Sequence, residues 1–388
     1  MAVTHTTGPR PLSLGERIRD LWLGARDRLM SSPRFQRWAA GFPLTRSIAD
    51  ARARTLFDLV AGFVYSQVLH ACVSLQLFSH LKNGPLDLDT IAIRVNLPRE
   101  RARCLLDAAV TLDLISRRGE DRYGLGSLGA AFLGNHGLAE MVSHHALFYA
   151  DMADPLALLR GTGGGTQLQQ FWAYARSEDP GGLSTGDIDA YTRLMAASQS
   201  FVAEDILDAY PLRDAKTLMD LGGGDGSFLT SAATRWPHLK LVLVDLPPVA
   251  EVAATRFADG PFAARASAVG RDFLRDPLPT GSDVISLVRV LHDHNDDSVR
   301  TILARAYDAL PPGGTLVIAE PMADTIGAQR VGAAYFNFYL LAMGSGRSRN
   351  ANELKTFLAN AGFGGIRTIR TRRPLMASLI IGRRPLFV

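Results

Sequence analysis
The sequence predicts an α/β protein in two parts: a doubly wound sheet of seven strands in the C-terminal half, parallel and covered on both faces, behind a helical part with a winged-helix rhythm. Two observations carry that expectation. Near residue 213 the hydrophobic period changes, from apolar residues at three and four spacing to short apolar runs alternating with amphipathic helices. At 217–228, "TLMDLGGGDGSF" then breaks a run of strand formers into four glycines around one aspartate, a bare turn where ligands bind such sheets. With 388 residues, 47% hydrophobic and 21% charged, the chain has room for two cores. We divide it into a basic arm (1–50), a helical winged-helix part (51–212) and the sheet (213–388).

In the arm, between Arg10 and Arg54, Arg17, Arg19, Arg26, Arg28, Arg34, Arg37, Arg46 and Arg52 are opposed only by Glu16, Asp20, Asp27 and Asp50. Interleaved with Leu21, Trp22, Leu29, Phe35 and Trp38, they suit two readings: a helical arm packed on a partner subunit, or an amphipathic helix on an anionic membrane surface. The run "ARTLFDLVAGFVYSQVLHACVSLQLFSHL" reads as a core helix. No apolar run approaches the ~18 residues of a membrane span and there is no secretory pattern, so a cytoplasmic protein is expected, peripheral on the inner or intracytoplasmic membrane under the second reading. Cys72 and Cys104, without a CxxC, read as buried thiols of a reducing compartment.

Residues 86–133 then read as helix, turn, helix and a hairpin around "RRGEDRYGL". The sharpest reading of a winged helix is DNA binding. Here the second helix carries Cys104, Leu105, Leu106, Ala108 and Ala109, leaving only Arg99, Arg101 and Arg103 for a phosphate. A structural or dimerising module is the better reading, and no nucleic acid is expected. From His144 to Ala209 the pattern is again helical, interrupted by "RGTGGGTQ" and "RSEDPGGLSTGD"; the first lacks the Lys-Ser/Thr of a phosphate loop and reads as a connector.

Strands are expected at Thr217–Leu221, Leu241–Leu246, Ala264–Val269, Val284–Val290, Leu316–Ala319, Ile366–Arg370 and Ala377–Ile381. The loop glycines Gly222, Gly223, Gly224 and Gly226 miss the dinucleotide spacing, because Ser227 stands where the last glycine would. Asp225 inside the loop repels a pyrophosphate but is harmless beside a sulfonium or an amino group. Asp245, nineteen residues after Gly226, ends the second strand and suits ribose hydroxyls. The loop thus favours S-adenosylmethionine over a nicotinamide cofactor. In "VGRDFLRD", Asp272 can take an adenine amino group and Phe273 can pack its face; the alternative is a turn capped by Asp272.

The order of these motifs, with "DLP", "GRDF", "LHDHND", "ALPPGGTLVIAE" and "NELKTFLANAGF", resembles the S-adenosylmethionine-dependent O-methyltransferases of the caffeate and hydroxyneurosporene type. The resemblance spans nearly the whole chain from Arg54 and implies a Rossmann-like methyltransferase sheet behind an all-helical winged-helix dimerisation domain, hence a homodimer. Within that family, "SPRFQRWAAGFPLTR" and "VSHHALFYADMADPLALLRG" are most similar to purple-bacterial carotenoid O-methyltransferases, which implies an apolar acceptor with a 1-hydroxyl. The family's general base falls on His292 and its partner acid on Glu320. Independently, adjacent strands would bring their C-terminal ends together. The resemblance also places Arg271, Asp272, Phe273, Asp245 and Arg289 at the cofactor, beside Gly222, Gly224 and Gly226. Where relatives carry a second acid in a "GKERT"-like turn, this chain has "GRSRN", with Ser348 at that place. His292 and His294 lack a third metal ligand of suitable spacing, so no metal is expected. Tyr335, Phe336, Phe338, Tyr339 and Met343 would line one wall of the acceptor pocket, with Asn337 as a hydroxyl partner, and Phe148, Tyr149, Phe171 and Trp172 the other. Three rival readings fit the same residues: a phenol O-methyltransferase, a tetrapyrrole C-methyltransferase and a DNA-binding regulator with a vestigial enzyme fold.

Overall fold
The structure, a computed structural model, describes residues 12–172, 199, 202–374 and 376–386; Arg10 and the loop "RSEDPGGLSTGD" lie outside them. Two short helices, α1 (Leu14–Met30) and α2 (Pro33–Gly41), lead into the long α3 (Pro43–Ser74). Cys72 is the buried residue of α3, whereas Leu56, Phe57, Leu59, Val60 and Phe63 are between 65% and 72% exposed. The expected core helix is therefore core only at its C-terminal end, because its apolar residues run round the whole circumference and the described chain covers one end. By length and composition alone α3 could also cross a membrane, which corrects the expectation that no such stretch exists.

The winged helix follows: α4 (Leu77–Leu81), β1 (Leu86–Asp87), α5 (Leu88–Arg94), α6 (Arg99–Thr111), β2 (Ile115–Gly119), β3 (Arg122–Leu125) and α7 (Ser127–Leu133). Its wing is a three-stranded antiparallel sheet in the order β1-β3-β2, so this part is not all-helical. Ala102, Leu106 and Ala109 give α6 a single apolar stripe against Leu88, Ile91 and Tyr123. Cys104 falls outside that stripe and is exposed, correcting its expected burial, while Cys72 is buried and its thiol pushed up to about 12 by desolvation. Arg99 pairs with Asp89 and Asp121, and Arg103 with Asp121, so two of the three arginines a DNA-binding reading needs are neutralised within the module. Helices α8 (His136–Asp151), α9 (Pro155–Arg160) and α10 (Gln167–Phe171) complete the N-terminal part.

The C-terminal sheet has the strand order β6-β5-β4-β7-β8-β10-β9, with β4 (Thr217–Leu221), β5 (Lys240–Asp245), β6 (Ala266–Gly270), β7 (Val284–Val288) and β8 (Thr315–Glu320) parallel. The last two, β9 (Gly364–Ile369) and β10 (Ser378–Arg383), form a hairpin that places β10 antiparallel to β8. The sheet is thus not wholly parallel; no crossover helix joins β9 to β10, and only an antiparallel pair can close so short a connection. Period-two alternation feeds two cores: Leu218 packs with α11 (Ser227–Arg235) and α12 (Pro247–Ala258), and Met219 with α13 (Asp296–Ala309), on opposite faces. Central β7 and β8 are buried throughout and largely apolar, with Ser286 and Glu320 among the buried polar exceptions. A π-helical turn, Arg330–Tyr335, leads into α14 (Phe336–Met343), and α15 (Ala351–Asn360) opens on an Asn350–Glu353 capping box.

Candidate active site
The glycine loop lies between β4 and α11. Gly222, Gly224 and Gly226 have φ of 69°, 59° and 81°, left-handed values that favour glycine. A Cβ on Gly222 would meet Val290 at 2.8 Å and one on Gly226 would meet Phe257 at 2.6 Å, whereas one on Gly224 would meet nothing within 4 Å. The loop is packed from beneath and open at Gly224. Asp245 receives the Gly224 N–H at 2.8 Å, tying the end of β5 to the loop.

Two buried carboxyls lie below. Asp220, 1% exposed, accepts a 2.6 Å bond from Ser286, and its other oxygen has no hydrogen-bond partner among the described residues. Desolvation pushes it up to about 7, and Asp245 likewise to about 6. An orphaned acid beneath a bare loop fits a cationic ligand with ribose hydroxyls. Residue type and pattern do not distinguish Asp220; its one signal in the sequence is its place two residues before the first loop glycine. Asp225, by contrast, pairs with Arg256 and accepts from the Ser227 N–H at the start of α11, so its charge is compensated. The repulsion argued from sequence is correspondingly weakened.

Past β6, Arg271 is exposed and its N–H donates to the Asp245 carbonyl at 2.8 Å. Asp272 accepts from the Leu274 N–H at 2.9 Å, the turn cap weighed as the alternative, which leaves Oδ2 with Arg275 at 3.6 Å. Phe273 stands beside Gly222 and meets His294 edge-on at 5.6 Å. Arg289 has φ of 58°, a left-handed kink at the end of β7 that turns the chain into the next loop.

That loop is a 3-10 turn, Leu291–Asp293, presenting His292. Glu320, the last residue of β8, puts Oε2 2.6 Å from His292 Nδ1 while Oε1 accepts the Val290 and Leu291 N–H groups at 3.0 and 2.7 Å. With every Glu320 contact coming from an N–H, Nδ1 carries the proton and Nε2 is the basic nitrogen. Asp293 lies 3.2 Å from Nε2 and Phe336 meets the ring edge-on at 5.6 Å. Burial lowers the affinity of His292 for a proton, but Asp293 and Glu320 outweigh it and hold the imidazole above the ordinary histidine range. The second acid missing from "GRSRN" is thus supplied by Asp293, while Ser348 is buried and donates to the Gly332 carbonyl.

On the far side of Phe336, α14 meets α8 and α10. Phe148, Trp172, Tyr339 and Met343 form one buried cluster, with Phe171, Tyr335, Phe336 and Phe338 packed on it. His144 Nε2 lies 2.7 Å from the Tyr339 hydroxyl, which accepts from Trp172 Nε1 at 2.9 Å; His145 Nε2 lies 2.8 Å from the Tyr335 hydroxyl. Tyr149 borders the cluster through His145, and Asn337 is exposed on α14. Among the described residues no cluster of His, Cys, Asp or Glu is placed to hold a metal.

Sheet order, bare loop and strand-end histidine fit a methyltransferase that uses S-adenosylmethionine. A model of the O-methyltransferase dimerisation domain matches residues 57–135, and one of the O-methyltransferase domain matches residues 179–364. Demethylspheroidene O-methyltransferase of Cereibacter sphaeroides is 41% identical over 92% of this chain and 94% of its own length, and that of Rhodobacter capsulatus 40% over 92% and 88%. The structure of human N-acetylserotonin methyltransferase in complex with S-adenosylmethionine superposes with a TM-score of 0.71 at 25% identity, covering 86% of this chain and 98% of that one. The chain belongs to the S-adenosylmethionine-dependent O-methyltransferases that carry a dimerisation domain.

Proposed function
We propose that the enzyme methylates a hydroxyl oxygen of an apolar acceptor, the 1-hydroxyl of an acyclic carotenoid of the demethylspheroidene class, with His292 as general base and Glu320 as its orienting carboxylate. The 2.6 Å Glu320–His292 contact beneath Phe336 is the observation that carries the chemistry, and the two relatives at 40% and 41% identity support the acceptor. Gly224, Asp220 and Asp245 would hold the cofactor, with Asp272, Phe273, Arg271 and Arg289 around its adenine and tail. Bound there, S-adenosylmethionine supplies an electrophilic methyl group. The acceptor O–H passes its proton to His292 Nε2 as its oxygen gains the methyl; the imidazolium is stabilised by Glu320. A tertiary alcohol is too weak an acid to ionise beforehand, so proton removal accompanies bond formation. Tyr335, Phe336, Tyr339, Phe148 and Trp172 hold the acceptor by apolar contact and exclude water.

The boundaries 1–50, 51–212 and 213–388 separate an arm, a dimerising part and a catalytic part in this reading. A second copy covers the exposed half of α3, consistent with the dimerisation-domain match that begins at residue 57. Helices α1 and α2, whose Leu14, Ile18, Leu21, Trp22 and Trp38 are exposed among arginines, rest on an anionic membrane from which the acceptor is drawn, making the enzyme a peripheral one of the cytoplasmic face. Incubation with S-adenosylmethionine and a panel of hydroxylated carotenoids, bacteriochlorophyllides and simple phenols, with products read by mass, tests the acceptor. A gain of one methyl on the carotenoid alcohol is expected; methylation confined to phenols or tetrapyrrole carbons overturns it.

A further inference from the structure
The "GSGRSR" segment, residues 344–349, is left without a role once Ser348 is bonded to Gly332. It lies along the carbonyl side of the histidine turn. Arg349 Nη1 donates to the Leu291 carbonyl at 2.7 Å, the Arg347 N–H to that of His292 at 2.9 Å, Ser345 Oγ to that of Asp293 at 2.9 Å, and Arg349 Nη2 to that of His294 at 2.7 Å. Four consecutive carbonyls are each held by one five-residue stretch. At Gly346, with φ of 78°, a Cβ would fall 2.1 Å from the His292 carbonyl oxygen, so the two backbones lie in direct contact. Arg349 is 3% exposed, and its charge is met by Asp296 at 2.7 Å.

We propose that Arg349 is a positioning residue for His292, the centre of a backbone cradle that fixes where Nε2 points; this rests on His292 being the base. The turn has little to hold itself, since its own Asp293 N–H to Val290 and His294 N–H to Leu291 bonds are 3.2 and 3.3 Å long. Glu320 grips the ring at Nδ1 and the N–H side of the turn at Val290 and Leu291, which leaves the carbonyl side, Leu291 to His294, to the 345–349 stretch. Misplacement of a reacting group by an ångström costs about 100-fold in rate. The cofactor loop hangs from β4 and has no bond to the 345–349 stretch among those described, so the effect falls on turnover.

The test compares full-length Arg349→Lys, Ser345→Ala and His292→Ala for kcat and KM, for the pH profile of kcat, and for S-adenosylmethionine binding by calorimetry. The groups facing the imidazole are Glu320, Asp293, Arg289, His294 and, through the cradle, Asp296, Arg347 and Arg349. Expected are a loss of about 100-fold in kcat for Arg349→Lys and a smaller loss for Ser345→Ala, each with an acid limb moved and cofactor affinity unchanged within about twofold. Unaltered kcat and pH profile in Arg349→Lys with His292→Ala inactive overturns the cradle alone; an active His292→Ala overturns the base and the cradle together. A kcat loss that tracks melting temperature with no change in the acid limb makes Arg349 merely structural and also overturns it. If Arg349→Lys does not fold, Ser345→Ala decides, because it removes a single hydroxyl.

Discussion

Neither nitrogen of His292 is left to water, since Glu320 holds Nδ1 and Asp293 lies against Nε2. The base works only when neutral, so kcat falls as pH drops through its raised pKa. The acid limb of a kcat profile should lie above the ordinary value of about 6.5, and Asp293→Asn should move it down. His292→Ala should cost 100-fold or more in kcat with cofactor binding retained in calorimetry. Asp220 gives a second expectation, of opposite sense for folding and binding. Its folded pKa of about 7 exceeds that of an unfolded carboxyl, so the folded protein holds a proton that the unfolded chain has lost, and stability declines as pH rises from about 4 to 7. Asp220→Asn should therefore raise the melting temperature of the cofactor-free protein at pH 8 while weakening S-adenosylmethionine binding about tenfold, measured by thermal scans and titration.

The loop glycines divide the work of one element. Gly226→Ala sets a methyl against the Phe257 ring at a left-handed φ and should cost about 2–4 kcal/mol of stability, whereas Gly224→Ala should cost about 1–2 kcal/mol and act mainly on cofactor affinity. Urea titrations with and without cofactor separate the two. At this scale most of the fold was legible: seven strands announced themselves as apolar runs within two or three residues of where they end, and the β7–β8 adjacency that joins His292 to Glu320 followed from the expected order. What escaped is of two kinds. The short link that reverses β10 and the stripe of α6 that leaves Cys104 outside are local signals that residue-type patterns alone pass over, whereas the approach of Asp293 to Nε2 depends on the 3-10 fold of the turn. Asp225 misled because the Arg256 that neutralises it stands on the next helix.

For the whole molecule, the exposed half of α3 and the arm before it are the surfaces with unmet demands. If a second copy covers α3, Leu59→Glu with Phe63→Glu should convert a dimer to monomer in sedimentation, because a charge at each position cannot be buried unpaired. If α1 and α2 rest on lipid, the protein should float with phosphatidylglycerol vesicles and not with phosphatidylcholine ones, and Trp22→Ala with Trp38→Ala should abolish that without altering turnover of acceptor delivered in detergent. Sedimentation and flotation read different elements, so one can fail while the other stands.

The imidazoles of α8 and the phenols of α14 meet across the seam between the two halves of the chain. If the acceptor lies against this seam, as proposed, its choice rests on both halves at once. A chimera given the N-terminal half of a relative selecting a different alcohol would keep these tyrosines without their own histidines, and should turn over this enzyme's acceptor poorly until both sides of the seam come from one parent.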